Sequence, residues 1–320
     1  MPSILDSMRP QYLKLTHGWN PMLFQGIRRY MKASSLNQRI TRRSGNDQNM
    51  EPYWLLVPGW LAGMYRKKNR RLPLDRRFLK DVIWAQYCLF LAIKIHDDLF
   101  DRHVDRPALL WAGDEFLLES QRVLLGHFAQ SPRFWKYYHS AIRTTIQTIQ
   151  DVDACQIQSR LHYRKVVQLY AAGYAVCKIA TYAVCLRANR MNDFQKISVF
   201  FDHMAIVGQT IDDFQDMVED ARRERINAAA AFILRSDASS LQGTLEKIAY
   251  NFVFTDASQR LFNLLQQHIE RAEKSIRSLN LPALLRFVDS YKSSVKRLAD
   301  HVHTQRVKFI FGKHVTRIWK

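Results

Sequence analysis

The hydrophobic pattern of the chain predicts a succession of long helices. Glycines are isolated, and no proline occurs between Pro132 and Pro282, so this half of the chain carries few helix-breaking signals. Residues 241–279 and 281–308 have the apolar spacing of an amphipathic helix pair, and residues 82–95 are almost continuously apolar. The pattern therefore predicts an all-α fold.

Composition supports the helical prediction and shows where the charge of the chain lies. The 320 residues are 47% hydrophobic and include only 11 glycines and 9 prolines, which disfavours a turn-rich β fold. The formal charge is +19, but residues 1–80 hold 16 basic and 4 acidic residues, residues 286–320 hold 9 and 2, and the middle holds 23 of each. Because the excess lies only at the ends, the chain does not resemble a basic nucleic-acid-binding domain.

The sequence gives only a weak indication of a domain boundary, and it lies near the N-terminal end. Residues 35–52 mix basic and small polar residues and predict a loop. We therefore interpret residues 1–50 as a basic, partly loop-forming segment and residues 51–320 as one α-helical domain. A dense basic run at residues 66–80 is most simply explained as a solvated surface.

The cysteines and the N-terminal residues do not indicate secretion. Four cysteines lie in apolar stretches without a CxxC pair, as expected of reduced core residues in a cytoplasmic protein. They are Cys88, Cys155, Cys177 and Cys185. The chain opens without the pattern of a secretory signal. Residues 166–186 come nearest to a membrane span, but Lys178 near their middle would be costly in lipid, so a buried helix is the favoured interpretation.

The apolar residues 82–95 lead directly into a first group of acidic residues. On a helix, Asp97 and Asp101 lie four positions apart on one face, with Asp98 beside them. Three carboxylates at the end of a hydrophobic helix repel one another unless their charge is compensated. One such group alone is equally well explained as a solvated helix end.

A second acidic group follows on another predicted helix. Asp212, Asp216 and Asp220 lie at i, i+4 and i+8 and share one face, with Asp213 at its border. Divalent cations would compensate both groups, because all-oxygen ligands select Mg²⁺ or Mn²⁺ over Zn²⁺, and Mg²⁺ shares its coordination shell with phosphates. Together the two groups predict a site for metal ions and a diphosphate.

The sequence around both groups resembles the trans-isoprenyl diphosphate synthases and, more broadly, the class I isoprenoid synthases. Residues 95–101 (IHDDLFD), including His96, are similar to the first aspartate-rich motif of that family, and residues 208–216 (GQTIDDFQD) are similar to its second. Residues 112–118 resemble its AGDxLL segment. Lys178 lies where the family has a diphosphate-binding Lys-Thr pair, with Ile179 in place of the threonine.

The resemblance implies an antiparallel helical bundle with a central cavity, three Mg²⁺ ions (with Mn²⁺ as an alternative) and an allylic prenyl diphosphate substrate. It also implies a homodimer. The implied metal ligands, all but the last also catalytic, are Asp97, Asp98, Asp101, Asp212, Asp213, Asp216 and Asp220. Lys178 would be both catalytic and substrate-binding. The other residues expected to bind substrate are Arg102, Arg106, Gln209, Ile93, Tyr174 and Tyr182.

The implied reaction is ionisation of the prenyl diphosphate with release of diphosphate. Elongating members carry Arg-Arg-Gly after the first motif, whereas here Arg106 is followed by Pro107 and Ala108, and the nearest match to their isopentenyl diphosphate element, residues 68–73, is out of register. The sequence therefore slightly favours a terpene synthase or cyclase over an elongating prenyltransferase that condenses isopentenyl diphosphate.

Two other interpretations and the location remain open. Residues 216–225 also resemble a string of squalene and phytoene synthases, which makes head-to-head condensation the third reaction. A non-catalytic partner protein with this fold would have little reason to keep both acidic groups. We expect a cytoplasmic protein, with peripheral contact to an anionic membrane through residues 66–80 as an alternative.

Overall fold

The computed structural model describes residues 4–33, 52–69, 72–100, 106–157, 163–223, 226–234 and 244–311, and within these ranges every regular element is a helix. This confirms the predicted all-α fold. The α-helices are α1 (Ile4–Thr16), α2 (Pro21–Ala33), α3 (Tyr53–Lys68), α4 (Arg76–Phe100), α5 (Leu109–Phe128), α6 (Pro132–Ile157), α7 (Tyr163–Gly173), α8 (Ile179–Arg187), α9 (Met191–Arg222), α10 (Ala228–Leu234), α11 (Thr244–Phe254), α12 (Ala257–Ile276) and α13 (Pro282–Phe311). Short 3₁₀ turns occupy Tyr174–Lys178 and Arg277–Leu279.

The chain folds into two compact units. Unit 1 comprises Met1–Ile142 and Val176–Phe194, and unit 2 comprises Arg143–Ala175 and Gln195–Lys320. Most of the loop predicted at residues 35–52 lies outside the described residues. The division into a basic N-terminal segment and one helical domain therefore stays a prediction.

Helix α4 forms the centre of unit 1. It packs along α5 and also contacts α3 and α8. Residues 82–89 of α4 are all buried, so this part of the helix has no solvent-facing side. Burial on every side explains why the sequence is almost continuously apolar there instead of showing a single apolar stripe.

The segment predicted as one buried helix at residues 166–186 is interrupted. Helix α7 ends at Gly173, a 3₁₀ turn follows, and α8 begins at Ile179. By length and composition Tyr163–Arg187 could cross a membrane, but 61% of its most apolar window is buried inside the protein. The segment thus has the burial of a protein core, whereas the prediction of one uninterrupted helix is wrong.

The predicted helix at residues 241–279 is also divided, because α11 ends at Phe254 and α12 begins at Ala257. The Arg306 guanidinium, from α13, donates hydrogen bonds to the carbonyl oxygens of Val253 (2.9 Å) and Thr255 (2.6 Å). These bonds satisfy carbonyl groups that a helix end leaves without a partner, so α11 can end there.

Three of the four cysteines fit the prediction of reduced core residues. Cys88, Cys177 and Cys185 are buried and free, and burial raises the pKa of each thiol. The side chain of Cys155 lies outside the described residues. The three buried thiols therefore act as small apolar packing groups.

Candidate functional site

The first acidic group lies in the last turn of α4, where the helix dipole disfavours negative charge. The Lys94 ammonium forms an ion pair with Asp98 Oδ1 and lies 3.5 Å from Asp97 Oδ2. The Tyr30 hydroxyl, from α2, donates a 2.6 Å hydrogen bond to Asp98 Oδ2. Asp98 is only 7% exposed, so these two contacts compensate a buried carboxylate at an unfavourable helix end.

His96 connects the same helix end to the AGD segment of α5. Its Nε2 lies 3.3 Å from Asp114 Oδ1, and its ring lies directly against Gly113. A Cβ atom at position 113 would lie 2.6 Å from His96 Nε2. A larger residue at position 113 would therefore displace the His96 ring from its place against α5.

Lys178 lies at the end of the 3₁₀ turn between α7 and α8 and is only 7% exposed. Gln86, a buried residue of α4, holds the backbone on both sides of it. The Gln86 side-chain amide donates to the Val176 carbonyl (2.8 Å), and its oxygen accepts a hydrogen bond from the Ala180 N–H (3.0 Å). Gln86 thus replaces helical hydrogen bonds at the position of Lys178, although sequence analysis had not identified it as a site residue.

The second acidic group lies on α9, as the spacing predicted, and its members differ in their surroundings. Asp212 is half-buried and Asp216 is exposed. Asp213 Oδ2 accepts hydrogen bonds from the Tyr170 hydroxyl (2.5 Å) and from the Ala228 N–H (2.9 Å). The carboxylate of Asp213 is therefore bound to two neighbouring elements, α7 and the start of α10.

Asn227 connects the end of this motif to the next helix. Its side-chain amide donates to the Asp213 carbonyl oxygen and to Asp220 Oδ2, both at 2.7 Å. Its side-chain oxygen accepts a hydrogen bond from the Ala230 N–H (3.0 Å), which is the N-cap arrangement. An asparagine directly before a run of apolar residues is a sequence signal for such a cap, so Asn227 could have been predicted.

The pKa of Asp213 differs from that of an ordinary carboxylate. Burial raises the pKa of Asp213 to about 7, and the nearby Asp220 and Asp212 also raise this pKa, while the hydrogen bonds from Tyr170 and Ala228 oppose the rise. Burial and the neighbouring Asp213 likewise raise the pKa of Tyr170 well above its ordinary value. The phenol of Tyr170 is therefore protonated and can donate to Asp213.

The residues predicted to bind substrate differ in their exposure to solvent. Ile93, Tyr174 and Gln209 are half-buried, and Arg106 is exposed just before α5. Tyr182 is buried and stacks on Tyr137 with 3.9 Å between ring centroids. Its burial and this stacking are those of a core residue.

Two predicted site residues, Asp101 and Arg102, lie outside the described residues. The first motif is therefore described only in part, and the substrate-binding roles stay predictions.

The side chains of the two acidic groups offer only carboxylate oxygens as ligands for a metal ion. In the described part of the chain, no three His, Cys, Asp or Glu side chains converge closely enough to hold a metal ion. The donors nevertheless are all carboxylates, and Asp97, Asp212 and Asp216 keep part of their surface accessible. Accessible carboxylates that leave room for water and phosphate ligands suit Mg²⁺.

The fold is similar to that of a solved isoprenyl diphosphate synthase. The structure is similar to the crystal structure of heptaprenyl diphosphate synthase from Staphylococcus aureus, with a TM-score of 0.60, over 93% of this chain and 97% of that chain. The two sequences are 11% identical, so the likeness is one of fold. No protein-family model matches the chain, and no curated protein sequence is significantly similar to it. The fold that the sequence resemblance implied is confirmed.

Proposed function

We propose that the protein is a class I isoprenoid synthase that ionises a linear allylic prenyl diphosphate and releases inorganic diphosphate. The main support is the combination of two aspartate-rich motifs, on α4 and α9, with a fold similar to that of a prenyl diphosphate synthase. The fold supports this class of protein, and the motifs support this chemistry. Both point to a prenyl diphosphate as the substrate.

The proposed reaction breaks the bond between C1 of the prenyl chain and a diphosphate oxygen. The electron pair leaves with the diphosphate. The allylic cation then either loses a proton to give a hydrocarbon, or binds a water molecule that loses a proton to give an alcohol. Asp97, Asp101, Asp212 and Asp216 would hold Mg²⁺, which when bound neutralises the charge of the leaving diphosphate. Lys178 would donate hydrogen bonds to the diphosphate, and apolar side chains would exclude water from the cation.

A terpene synthase or cyclase is the proposed reaction type, and chain elongation is the alternative. Elongation needs a second site for isopentenyl diphosphate, and this chain has Pro107 and Ala108 where elongating members have arginine and glycine. Without a bound co-substrate, the cation reacts within its own chain. Head-to-head condensation of two prenyl chains is the third candidate.

Incubation with prenyl diphosphates tests these candidates. The protein is incubated with Mg²⁺ and geranyl, farnesyl or geranylgeranyl diphosphate, each with and without isopentenyl diphosphate, and products are identified by mass spectrometry. We expect hydrocarbons or alcohols without the co-substrate. Longer diphosphates formed only with the co-substrate would establish elongation instead, and the absence of diphosphate release in every mixture would refute the proposal.

We also propose that a second copy of the chain binds to α5. Trp111, Leu118 and Leu125 are 69%, 59% and 50% exposed, and their spacing of seven places them on one helical face. If two copies of α5 pair antiparallel about a two-fold axis at Leu118, Trp111 of one copy meets Leu125 of the other. The same axis brings the half-buried Asp114 opposite the exposed Arg122, so the face is complementary to itself in charge.

A membrane is the less suitable partner for this face. Helix α5 carries three acidic residues and one arginine, so its charge is net negative, whereas binding to an anionic membrane requires basic residues. The stripe of large apolar residues therefore fits another copy of α5 better than it fits a lipid surface.

Substitution of Leu118 by arginine tests the dimer. We expect the wild-type protein to be dimeric by light scattering and Leu118→Arg to be monomeric, because two like charges would meet at the two-fold axis. Tyr250→Arg, at an exposed position on α11, is the control and should stay dimeric. A monomeric wild-type protein, or a Leu118→Arg variant that stays dimeric, would contradict the proposal.

A further inference from the structure

The two aspartate-rich motifs share a feature at their second aspartate. In the first motif the Tyr30 hydroxyl lies 2.6 Å from Asp98 Oδ2, and in the second the Tyr170 hydroxyl lies 2.5 Å from Asp213 Oδ2. Both tyrosines are buried. Hydrogen bonds of this length between a hydroxyl and a carboxylate belong to the strong, charge-assisted class.

Each of these aspartates has a second partner as well. Lys94 binds the other oxygen of Asp98, and the Ala228 N–H binds the same oxygen of Asp213 that Tyr170 binds. The two carboxylates are thus directed at groups of the protein, within unit 1 for Asp98 and within unit 2 for Asp213. Their neighbours in sequence, Asp97 and Asp212, are the residues proposed to hold metal.

Both bonds join elements that are distant in sequence. Tyr30 lies on α2 and is 68 residues from Asp98, and Tyr170 lies on α7 and is 43 residues from Asp213. Because adjacent residues on a helix share the same turn, a bond that holds the second aspartate also holds the backbone that carries the first. Removal of a group that hydrogen-bonds directly to a metal ligand typically weakens metal affinity by about 10- to 100-fold, so we expect the lower end of that range for a bond that holds the adjacent residue.

We propose that Tyr30 and Tyr170 are positioning residues, and that the second aspartate of each motif anchors the helix turn that presents the metal-binding aspartate. This inference rests on the proposed function for its metal ligands. It assigns Asp98 and Asp213 a different task from Asp97 and Asp212, and it gives α2 and α7 a role in metal binding.

Removal of each hydroxyl tests the proposal. In Tyr30→Phe and Tyr170→Phe we expect the dissociation constant for Mn²⁺, measured by electron paramagnetic resonance without substrate, to rise about 10-fold. The matched control is Tyr65→Phe, because the buried Tyr65 hydroxyl donates a 3.0 Å hydrogen bond to Asp193, which belongs to neither motif. Tyr65→Phe should lower the thermal midpoint of unfolding to a similar extent and leave Mn²⁺ affinity unchanged.

The outcomes separate this inference from the proposed function. Unchanged Mn²⁺ affinity in both Tyr30→Phe and Tyr170→Phe would overturn the positioning role, even if the wild-type protein ionises prenyl diphosphates. Weaker Mn²⁺ binding in these variants but not in Tyr65→Phe would support it, even if no prenyl diphosphate reacts. A wild-type protein that binds no Mn²⁺ would overturn both.

Discussion

Replacement of Asp97 or Asp212 by asparagine should lower kcat/KM for diphosphate release by about 100- to 1,000-fold, the loss typical when one stabilising group at a developing charge is removed. Asparagine keeps the size of the side chain and removes its charge. A neutral amide oxygen binds Mg²⁺ more weakly than a carboxylate does, so the negative charge of the leaving diphosphate is compensated less well. Diphosphate release is measured across a range of Mg²⁺ concentrations.

The control for this experiment lies on the same helix as the second motif. Glu219 is an exposed acid of α9 that pairs with Arg223, so Glu219→Gln removes one negative charge nearby without touching a proposed ligand. We expect Glu219→Gln to retain wild-type activity and all variants to retain their circular dichroism spectra. Activity of Asp97→Asn or Asp212→Asn within threefold of wild type would exclude these residues as metal ligands.

Replacement of Gln86 by leucine should lower the free energy of unfolding by about 3 kcal/mol, since it leaves two buried backbone groups without partners at about 1–3 kcal/mol each. The groups are the Val176 carbonyl and the Ala180 N–H, on either side of Lys178. A leucine at position 86 fills similar space but accepts and donates no hydrogen bond. Urea unfolding monitored by circular dichroism measures the change.

The matched control is a glutamine on the protein surface. Gln147, an exposed residue of α6, donates a 3.0 Å hydrogen bond to Asp151, and Gln147→Leu should change the unfolding free energy by no more than about 0.5 kcal/mol. Equal effects of Gln86→Leu and Gln147→Leu would show that the interrupted segment does not depend on Gln86. The Gln86→Leu variant should also release diphosphate more slowly, because Lys178 loses its fixed backbone.

Much of the helical fold could be predicted from periodicity, and the errors have a common cause. The almost continuous run of apolar residues in α4 correctly predicted a buried helix, but the breaks after Gly173 and Phe254 were missed. Both breaks depend on a distant side chain, Gln86 or Arg306, that satisfies backbone groups at the interruption. Local sequence carries no signal for a partner that is distant along the chain.

The candidate site, like the fold, could be predicted from the sequence only in part. Helical spacing alone placed Asp212, Asp216 and Asp220 on one face of α9, and a capping signal was present at Asn227. The pairing of each motif with a tyrosine could not be predicted, because nothing in the sequence connects Tyr30 with Asp98 or Tyr170 with Asp213.

The sequence by itself therefore determined that the fold is helical, where acidic residues accumulate and that the excess of positive charge lies at the two ends of the chain. These properties follow from the order of residues along a few turns and from composition. Tertiary structure alone decided which carboxylates are bound by protein groups and which apolar residues of α5 stay at the surface. The physical reason is that hydrogen bonding and burial depend on distances between residues far apart in sequence, which only packing of the helices defines.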